Sequence, residues 1–493
     1  MINFNNSNFI KGKTFIFIIF ILFAVYFLYV LSLTTGTYSG DCISHHVISR
    51  YAFQYPHLFL DHWGKPVFTL LSSPFSQFGL KGTQFFNMLA GLLTAYIIYL
   101  IAKRLEYKNA FAVIFFVLLI PLYFRICFTS LTEISFSLLL SLSILLFLDK
   151  KYIAGTILVS FLPFARTESV LLFPAFALIL IFRKQLLKIP LFLTGSIVYT
   201  IAGAWYYKDF YWIINKCPYQ PFDNSYGRGK LFDFVKALPD DLGWVLIILS
   251  LSGFIFMFFK YIYSFRSVFK KEFYLNEEFL LISFNFLVFF IAHSLLWYFG
   301  LFHSFGLTRV VAAVYPLSAL VALYGLNFIL QFFPSNFSVF RNWGKFINVQ
   351  HIILFIVITF VFINNYKKNK VPFRDNLEEE LIYSCSNWLK AEQIKYSKVF
   401  FFHPSVIMAF EINPYEKKTG EEAWFVNKEK PSISLPAEAI IIWDAHFAVN
   451  EGQFPLKSLI EDPDLVLLKV FEPSAPLYSW GEEFKVYVFK RKI

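Results

Sequence analysis

The sequence predicts an all-α, multi-pass membrane protein with about eleven transmembrane helices, followed by a small α/β domain. Three observations support this fold class. The chain is 57% hydrophobic but only 16% charged, whereas soluble domains average about a quarter charged residues. Runs such as residues 14–33 (TFIFIIFILFAVYFLYVLSL) reach the roughly 20 apolar residues that a helix needs to cross a bilayer. Near residue 367 the composition changes, and charged and apolar residues begin to mix.

The first apolar run follows Lys11 and Lys13 and resembles a signal peptide. It is longer than a usual signal core and no Ala-x-Ala-type cleavage site follows it, so we expect an uncleaved anchor. The segment at 66–79 is interpreted as a helix at the membrane interface. The further predicted spans are 83–102, 110–128, 131–148, 152–165, 168–182, 189–207, 243–262, 279–299, 310–331 and 351–366.

The net charge of +11 is explained by basic loops on the cytoplasmic side, so no nucleic-acid partner is required. Basic residues recur in every second loop. The exceptions are the loop at 208–242 and the cluster at 367–370. This pattern predicts a cytoplasmic N-terminus and an extracytoplasmic C-terminus. The richness in Phe, Ile, Lys and Asn favours an AT-rich bacterial genome, so we expect a bacterial inner (plasma) membrane. The predicted inner-loop residues are Lys103, Arg104, Lys108, Lys150, Lys151, Arg183, Lys184, Lys188, Lys260, Arg266, Lys270, Lys271, Arg341 and Lys345.

The chain is therefore divided into a membrane domain (1–366) and an extracytoplasmic α/β domain (367–493). The second part contains a helical pattern, NLEEELIYSCSNWLKAEQI, and β-like runs at 398–402, 439–443, 465–471 and 484–489. Helical and strand segments in this order predict a small α/β fold. It has no Gly-rich phosphate loop and no nucleophile elbow, so we expect a structural or acceptor-docking role.

Ionisable residues gather at the predicted outer ends of the spans. Charged groups at membrane depth are costly, and they usually mark a pathway or a site. The first outer loop, SGDCISHHVISRYAFQYPHLFLDHWGKPVFTLL (39–71), is the richest in such groups. The residues concerned are Asp41, His45, His46, Arg50, His57, Asp61, His62, Lys65, Arg125, Glu133, Arg166, Glu168, His303 and Arg309.

Several of these residues also have structural interpretations. Glu133 follows Ser130 at capping-box spacing, and Arg166 and Glu168 are close enough to pair across a turn. Asp41 is suitably placed to cap the helix that follows it.

A divalent metal is a further alternative, because Asp41 and His45 share a helical face and two more histidines follow nearby. However, the sequence has no HExxH motif and requires no cofactor. The four cysteines lack CxxC spacing; Cys42 and Cys217 either pair or remain free.

The order of these features resembles the C-type glycosyltransferase (GT-C) superfamily, in particular bacterial polyprenyl-phosphate-sugar-dependent enzymes of the mannosyltransferase and aminoarabinose-transferase type. An acidic residue follows the first span (SGD), and RYAFQYPHLFLDHWGKPVFTLL contains a Lys-Pro step. QFGLKGTQFFNMLAGLL, ARTES and GLTRVVAAVYPLSALVALYGL then follow in the family's order. The loop has one Asp where many members have an acidic pair. Lys65 precedes one Pro where aminoarabinose transferases tend to have two.

The resemblance implies an integral-membrane glycosyltransferase that moves a sugar from a polyprenyl-phosphate donor to a glycan, lipid or protein acceptor, with inversion. It implies Asp41 as catalytic base, with Asp61 as the runner-up, and Lys65 and Arg309 as donor-phosphate ligands. The alternative function is a lipid-linked saccharide flippase or another transporter, which would place charges deep within the spans. The remaining candidates for the substrate cavity are His45, His46, His62, Glu133, Arg166, Glu168 and His303.

Overall fold

The structure, a computed structural model, describes residues 6–219, 227–266, 277–333, 349–479 and 482–493. The chain forms two compact units. The helical unit comprises Met1–Leu33 and His45–Pro372, and the C-terminal unit comprises Thr34–Ser44 and Phe373–Ile493. The sequence division at 366/367 placed residues 34–44 in the membrane domain, whereas the structure groups them with the C-terminal unit. We call Thr34–Ser44 the strap.

Apolar helices dominate the helical unit. Short 3-10 segments precede or follow several of them, at Pro56–Leu60, Leu162–Phe164, Thr167–Leu172, Leu186–Leu193 and Thr308–Val314, and a π-helical turn spans Phe279–Phe284. Helix α2 begins in the strap and continues into this unit. The helices are α1 (Asn6–Leu33), α2 (Gly40–Tyr51), α3 (Pro66–Ser76), α4 (Leu80–Arg104), α5 (Ala112–Leu118), α6 (Pro121–Ile126), α7 (Thr132–Leu148), α8 (Tyr152–Phe161), α9 (Phe173–Phe182), α10 (Thr194–Tyr207), α11 (Trp212–Asn215), α12 (Asp233–Asp241), α13 (Trp244–Arg266), α14 (Asn285–Phe299), α15 (Tyr315–Leu330) and α16 (Val349–Lys368).

The multi-pass membrane class is confirmed, while the count of eleven spans stays a prediction. Among the described residues, six helices are long and apolar enough to cross a membrane, or seven if α12 and α13, which bend by 119°, form one span. Three shorter apolar helices coincide with predicted spans at 131–148, 152–165 and 168–182. The predicted span at 110–128 is broken between α5 and α6.

Proline residues determine where several helices begin. Pro66, Pro121, Pro174 and Pro316 lie in the first turn of α3, α6, α9 and α15. Proline has no N–H to lose at this point and its φ is already helical, which explains the preference. Helix α13 packs along α15 and α4 along α7, so these pairs form the interior of the unit.

The C-terminal unit has the predicted α/β fold. Its five-stranded sheet has the order β2-β1-β3-β7-β4, in which β1, β2 and β3 are parallel and β7 is antiparallel to β3 and β4. All five residues of β3 are buried. The elements are α17 (Leu377–Ala391), β1 (Val399–Phe401), α18 (Ser405–Ala409), β2 (Gly420–Glu422), β3 (Ile440–Asp444), α19 (Phe447–Asn450), α20 (Leu456–Glu461), β4 (Leu465–Phe471), β5 (Tyr478–Ser479), β6 (Glu482–Glu483) and β7 (Val486–Arg491).

Some sequence predictions concern residues that the structure does not describe, and others differ from the structure. The basic residues Lys270, Lys271, Arg341 and Lys345 lie outside the described residues. Cys42 and Cys217 are not joined by a disulfide, so of the two alternatives the pairing is wrong. Helix α2 begins at Gly40, which places Asp41 inside its first turn rather than before it.

Candidate functional site

The polar loop of the sequence ends at Lys65, whose backbone is unusual. Its φ of 59° and ψ of 100° lie in a region that L-residues rarely occupy, and Pro66 follows at once. Strained backbone of this kind persists only where the surroundings enforce it, and it is frequent at functional sites. The Lys65 carbonyl accepts the first α3 hydrogen bond, from Thr69 N at 2.9 Å. Lys65 therefore occupies the cap position of α3 in a conformation that its surroundings must enforce.

The ammonium group of Lys65 is buried among hydroxyl groups. Nζ donates to Thr167 Oγ1 at 3.5 Å and to the phenol oxygen of Tyr219, and it lies 4.3 Å from the centre of the Tyr219 ring. Only 9% of the residue is exposed. Its hydrogen-bond partners Thr167 and Tyr219 are neutral, and the carboxylate that its charge reaches, Glu168, is already paired with Arg166.

Thr167, which accepts a hydrogen bond from Lys65, lies between two members of a buried ion-pair network, Arg166 and Glu168. Arg166 Nη1 lies 3.0 Å from Glu133 Oε1, and Arg166 Nε lies 2.6 Å from Glu168 Oε1. Arg309 Nη1 approaches Glu133 Oε1 at 3.4 Å. Four sequence candidates from three separate segments are thus brought together. The pairing of Arg166 with Glu168, proposed as a structural alternative, is confirmed, but Arg166 also reaches Glu133.

The capping-box interpretation of Glu133 is wrong. Leu131, not Ser130, occupies the cap position of α7. The Glu133 side chain is 1% exposed and is directed to two arginines instead. Its Oε2 atom has no hydrogen-bond partner among the described residues. A buried carboxylate between two guanidinium groups holds both arginines in place, because separating any of these charges would leave an unpaired charge in an apolar interior.

His293 belongs to the same network and was missed by the sequence analysis. Its Nε2 lies 3.4 Å from Glu168 Oε1, and its ring lies 4.7 Å from that of Phe289. It lies in the apolar run FFIAHSLLWYF, and no motif distinguishes it. The one available signal was its ionisable side chain at membrane depth.

The charges of this cluster favour an anion. Among the described residues of this cluster, Lys65, Arg166 and Arg309 carry three positive charges and Glu133 and Glu168 carry two negative ones. Helices α3 and α7 also begin at the cluster, and the positive ends of helix dipoles attract anions. A phosphate group is therefore a suitable ligand chemistry for this part of the helical unit.

The remaining histidines and Asp61 have local structural partners. Asp61 Oδ1 accepts a hydrogen bond from Gly64 N at 2.7 Å and shapes the turn before Lys65. His46 Nδ1 lies 2.7 Å from Thr83 Oγ1; burial and then the charge of Arg50 lower the pKa of His46 to about 3. His62 packs against Trp212 with ring centres 5.0 Å apart.

Two further candidates have aromatic neighbours, and no metal arrangement is found. His45 lies 5.8 Å from the Phe68 ring and His303 lies 6.2 Å from the Phe305 ring. Among the residues that the structure describes, no group of three or more His, Cys, Asp or Glu side chains is arranged to hold a metal ion. Asp41 and His45 lie one turn apart on α2, whereas His57 belongs to the 3-10 segment Pro56–Leu60 and His62 follows that segment.

Asp41 is half-buried and lies in the first turn of α2, where the helix dipole favours a carboxylate. The strap that carries it follows α1 directly and groups with residues 373–493. The structure thus assigns the two kinds of predicted catalytic group to different units: the candidate base to the C-terminal unit, and the candidate phosphate ligands Lys65 and Arg309 to the helical unit.

The C-terminal unit contains a second ionisable cluster at the carboxyl ends of β1 and β3. Glu378 Oε2 lies 2.9 Å from His446 Nδ1 and 3.5 Å from His403 Nε2. Burial would raise the pKa of Glu378, but the hydrogen bonds from the two histidines outweigh it and lower the pKa to about 2. Burial lowers the pKa of His446, whereas its hydrogen bond to Glu378 raises it, and the net shift is upward.

This cluster predicts a pH dependence of the C-terminal unit. Ionised Glu378 contributes to the folding stability of the unit above its ordinary pKa of about 4.3, and this contribution is lost as the pH falls toward 2. Protonated His446 contributes to stability below a pH of about 6.5, and this contribution is lost as the pH rises through its raised pKa. Glu378→Gln should lower the local stability at pH 5.5 by roughly 2 kcal/mol. Hydrogen exchange of peptides from 399–447 in the full-length protein, corrected for intrinsic rates, measures this. If the local stability of the variant changed between pH 5.5 and pH 8 as much as that of the wild-type protein does, the prediction would be contradicted.

The Glu133 network yields a stability prediction for the helical unit. Glu133→Gln should destabilise the protein by about 3 kcal/mol, because a buried guanidinium loses its counter-charge. Asp149→Asn is the matched control: it breaks the exposed Arg104–Asp149 pair, and such pairs contribute about 0–1 kcal/mol. Thermal unfolding of both variants in the same detergent provides the comparison. Equal shifts would show that the Glu133 network is not a buried ion-pair centre.

Comparisons with known proteins give structural matches but no sequence matches. No family model and no curated protein matches the chain. It is similar to the crystal structure of ArnT from Cupriavidus metallidurans bound to undecaprenyl phosphate, with a TM-score of 0.57 and 12% identity over 95% of this chain and 97% of that chain. The apo state of the same protein gives a TM-score of 0.56 and 11% identity over 97% and 98%.

A third structure is similar over a smaller part. It is the Archaeoglobus fulgidus oligosaccharyltransferase, tethered by a disulfide bond to an acceptor peptide with the NVT sequon. The TM-score is 0.50 and the identity 12%, over 88% of this chain and 69% of that chain. At these identities the likeness concerns the arrangement of the chain rather than its chemistry.

Proposed function

Because the chain has the fold of the C-type glycosyltransferases, we propose that it is an integral-membrane glycosyltransferase. It transfers a sugar from a polyprenyl-phosphate donor to an acceptor on the extracytoplasmic face. The observation that carries this proposal is the buried group of Lys65, Arg166 and Arg309, whose three positive charges face two carboxylates among the residues that the structure describes. The phosphate of a lipid-linked sugar supplies the matching charge. ArnT, which has this fold, was crystallised with undecaprenyl phosphate.

The proposed reaction is a single displacement. The oxygen of an acceptor hydroxyl forms a bond to the anomeric carbon while the bond from that carbon to the phosphate oxygen breaks. The hydroxyl proton moves to the Asp41 carboxylate, which acts as general base. The electron pair of the broken bond remains on the lipid phosphate, which gains one negative charge. Attack opposite the leaving group inverts the configuration of the sugar.

The side chains of the helical unit act on the leaving group. Lys65 has neutral partners and stabilises the charge that develops on the phosphate. Arg309, held by Glu133, is the second phosphate ligand. Arg166 is fixed between two carboxylates and serves to orient the network. Because these donors are in place before reaction, little reorganisation is needed when the charge forms.

Surface glycans test this proposal in cells. A deletion strain should lack one hexose or pentose, detected by mass spectrometry of its glycans and lipids, and should accumulate the polyprenyl-phosphate sugar. Complementation with the wild-type chain should restore the product, whereas Asp41→Asn should not. Complete glycans in the deletion strain would contradict the transferase. Accumulation of an intact lipid-linked saccharide on the cytoplasmic side alone would favour the flippase alternative.

A further inference from the structure

The strap packs on the C-terminal unit through both backbone and side chains. The backbone N–H groups of Thr35 and Gly36 donate to the carbonyl oxygen of Phe373, at 2.9 and 3.2 Å. The hydroxyl of Thr37 donates to the carboxylate of Glu379. Thr37 is 1% exposed, so this hydrogen bond is formed in a dry environment. Buried hydrogen bonds to a charged group are among the stronger ones, which makes the strap a fixed element of this unit.

Glu379 connects the strap to the framework of the unit. Its Oε2 accepts a hydrogen bond from Asn376 N at 3.0 Å, while Asn376 Oδ1 accepts one from Glu379 N at 2.8 Å. This is a capping box at the start of α17. The same carboxylate, through Oε1, receives the Thr37 hydroxyl. The register of the strap is thereby set by the end of a helix whose position in the unit is itself fixed by packing.

Gly40, the residue before Asp41, lies directly against the unit. A Cβ atom at this position would lie 2.8 Å from Phe447 Cζ and 3.1 Å from Pro404 Cγ. Contacts below 3.0 Å are not tolerated by carbon atoms, so a larger residue would push the strap away or displace Phe447. Tyr38, two residues earlier, has a φ of 87°, which is rare for a residue with a side chain. The chain is thus bent and closely seated immediately before Asp41.

The ring that faces Gly40 is supported by the Glu378 cluster. The Phe447 ring lies 4.8 Å from that of His403 and 4.5 Å from that of His446, measured between ring centres. Asp444 Oδ1 accepts hydrogen bonds from His446 N at 3.0 Å and Phe447 N at 2.7 Å. Residues at the ends of β1 and β3 therefore hold in place the Phe447 ring that Gly40 contacts.

From these contacts we propose that the C-terminal unit positions the strap, so that Phe447, Pro404 and Glu379 fix the location of the Asp41 carboxylate. This inference rests on the proposed function, because it assigns importance to Asp41 as the base. Gly40, Thr37 and Phe447 are positioning residues and do not touch the reacting atoms. A misplacement of a catalytic group by 1 Å can cost about 10²-fold in rate. The unit thus contributes to turnover although it carries no catalytic motif of its own.

Gly40→Ala in the full-length protein tests this role. The added methyl group should lower kcat by about 10- to 100-fold and leave the donor KM unchanged, because Asp41 is displaced while the donor ligands of the helical unit are not altered. Phe447→Leu removes the Cζ atom that the methyl group would meet, so the double variant should regain most of the lost turnover. Rescue by a second substitution separates positioning from a general loss of stability.

Gly420→Ala is the matched control. Its Cβ would lie 2.5 Å from Ile412 Cδ1 in the same unit, but in strand β2 rather than against the strap, so kcat should be retained. Full turnover in Gly40→Ala, equal losses in both glycine variants, or failure of Phe447→Leu to restore turnover would each overturn the positioning role. A wild-type protein that consumes no polyprenyl-phosphate sugar would instead overturn the proposed function, so the two failures are distinguishable.

Discussion

Asp41→Asn is expected to lower the transfer rate by about 10²–10⁴-fold, the usual loss when a general base is removed. Asparagine has nearly the same size but cannot take the proton of the acceptor hydroxyl. It is also well tolerated near helix starts, so α2 should lose only about 0.3–1 kcal/mol from the weaker interaction with the helix dipole. Turnover and thermal unfolding of the purified variant measure the two effects separately.

Asp61→Asn is the control from the same loop. Asp61 Oδ1 accepts the Gly64 N–H bond, and an amide oxygen at the same place can accept it too. We therefore expect near-normal turnover. An inactive Asp61→Asn together with an active Asp41→Asn would assign the base to Asp61. Normal turnover in both variants would show that this loop does not supply the base.

Lys65→Ala is expected to lower kcat for donor cleavage by about 10²–10³-fold, the range seen when one preorganised donor to a developing anion is removed. The loss should be larger in kcat than in KM, because the phosphate gains charge as the bond to the sugar breaks. Lys65→Arg should recover part of the rate, since it keeps the charge but not the compact shape of the ammonium group. Release of polyprenyl phosphate from a synthetic donor is the measurement.

Lys81→Ala is the matched lysine control. Lys81 Nζ donates to the Leu31 carbonyl oxygen at 2.7 Å, so it is a comparable cation with a structural partner. Its removal should leave donor cleavage near the wild-type rate. Equal effects of the two alanine variants would show that Lys65 is only an interfacial anchor whose charge lies at the headgroup level.

Hydropathy predicted the fold class, but it did not predict the lengths of the helices. Windows of apolar residues identified the six long apolar helices, and β-like runs identified β1, β3, β4 and β7. Composition does not show where a helix breaks inside a continuous apolar run. Pro121 ends one helix and begins another within 110–128. Likewise, a 3-10 turn at Leu162–Phe164 ends α8 early.

The charged residues of the candidate site could be predicted from the sequence. Their partners could not, because contacts between distant segments of the chain determine them. Glu133, Arg166, Glu168 and Arg309 were identified because charges at membrane depth are rare, and the structure brings them together. Their partners were not predictable, because the local alternative for Glu133 had the right spacing. Asp41 was assigned to the membrane domain since it follows the first span. Contacts between residues 34–44 and 373–493 have no local signal.

Donor consumption by the purified, reconstituted protein tests directly whether this chain transfers a sugar from a polyprenyl-phosphate donor. The protein in lipid nanodiscs would be given a panel of synthetic polyprenyl-phosphate sugars together with an acceptor extract from the deletion strain. We expect that one donor is consumed, that polyprenyl phosphate is released in equal amount, and that the sugar appears on the acceptor with inverted anomeric configuration by NMR. Intact donors throughout the panel, combined with movement of a lipid-linked saccharide across a vesicle membrane, would contradict this expectation.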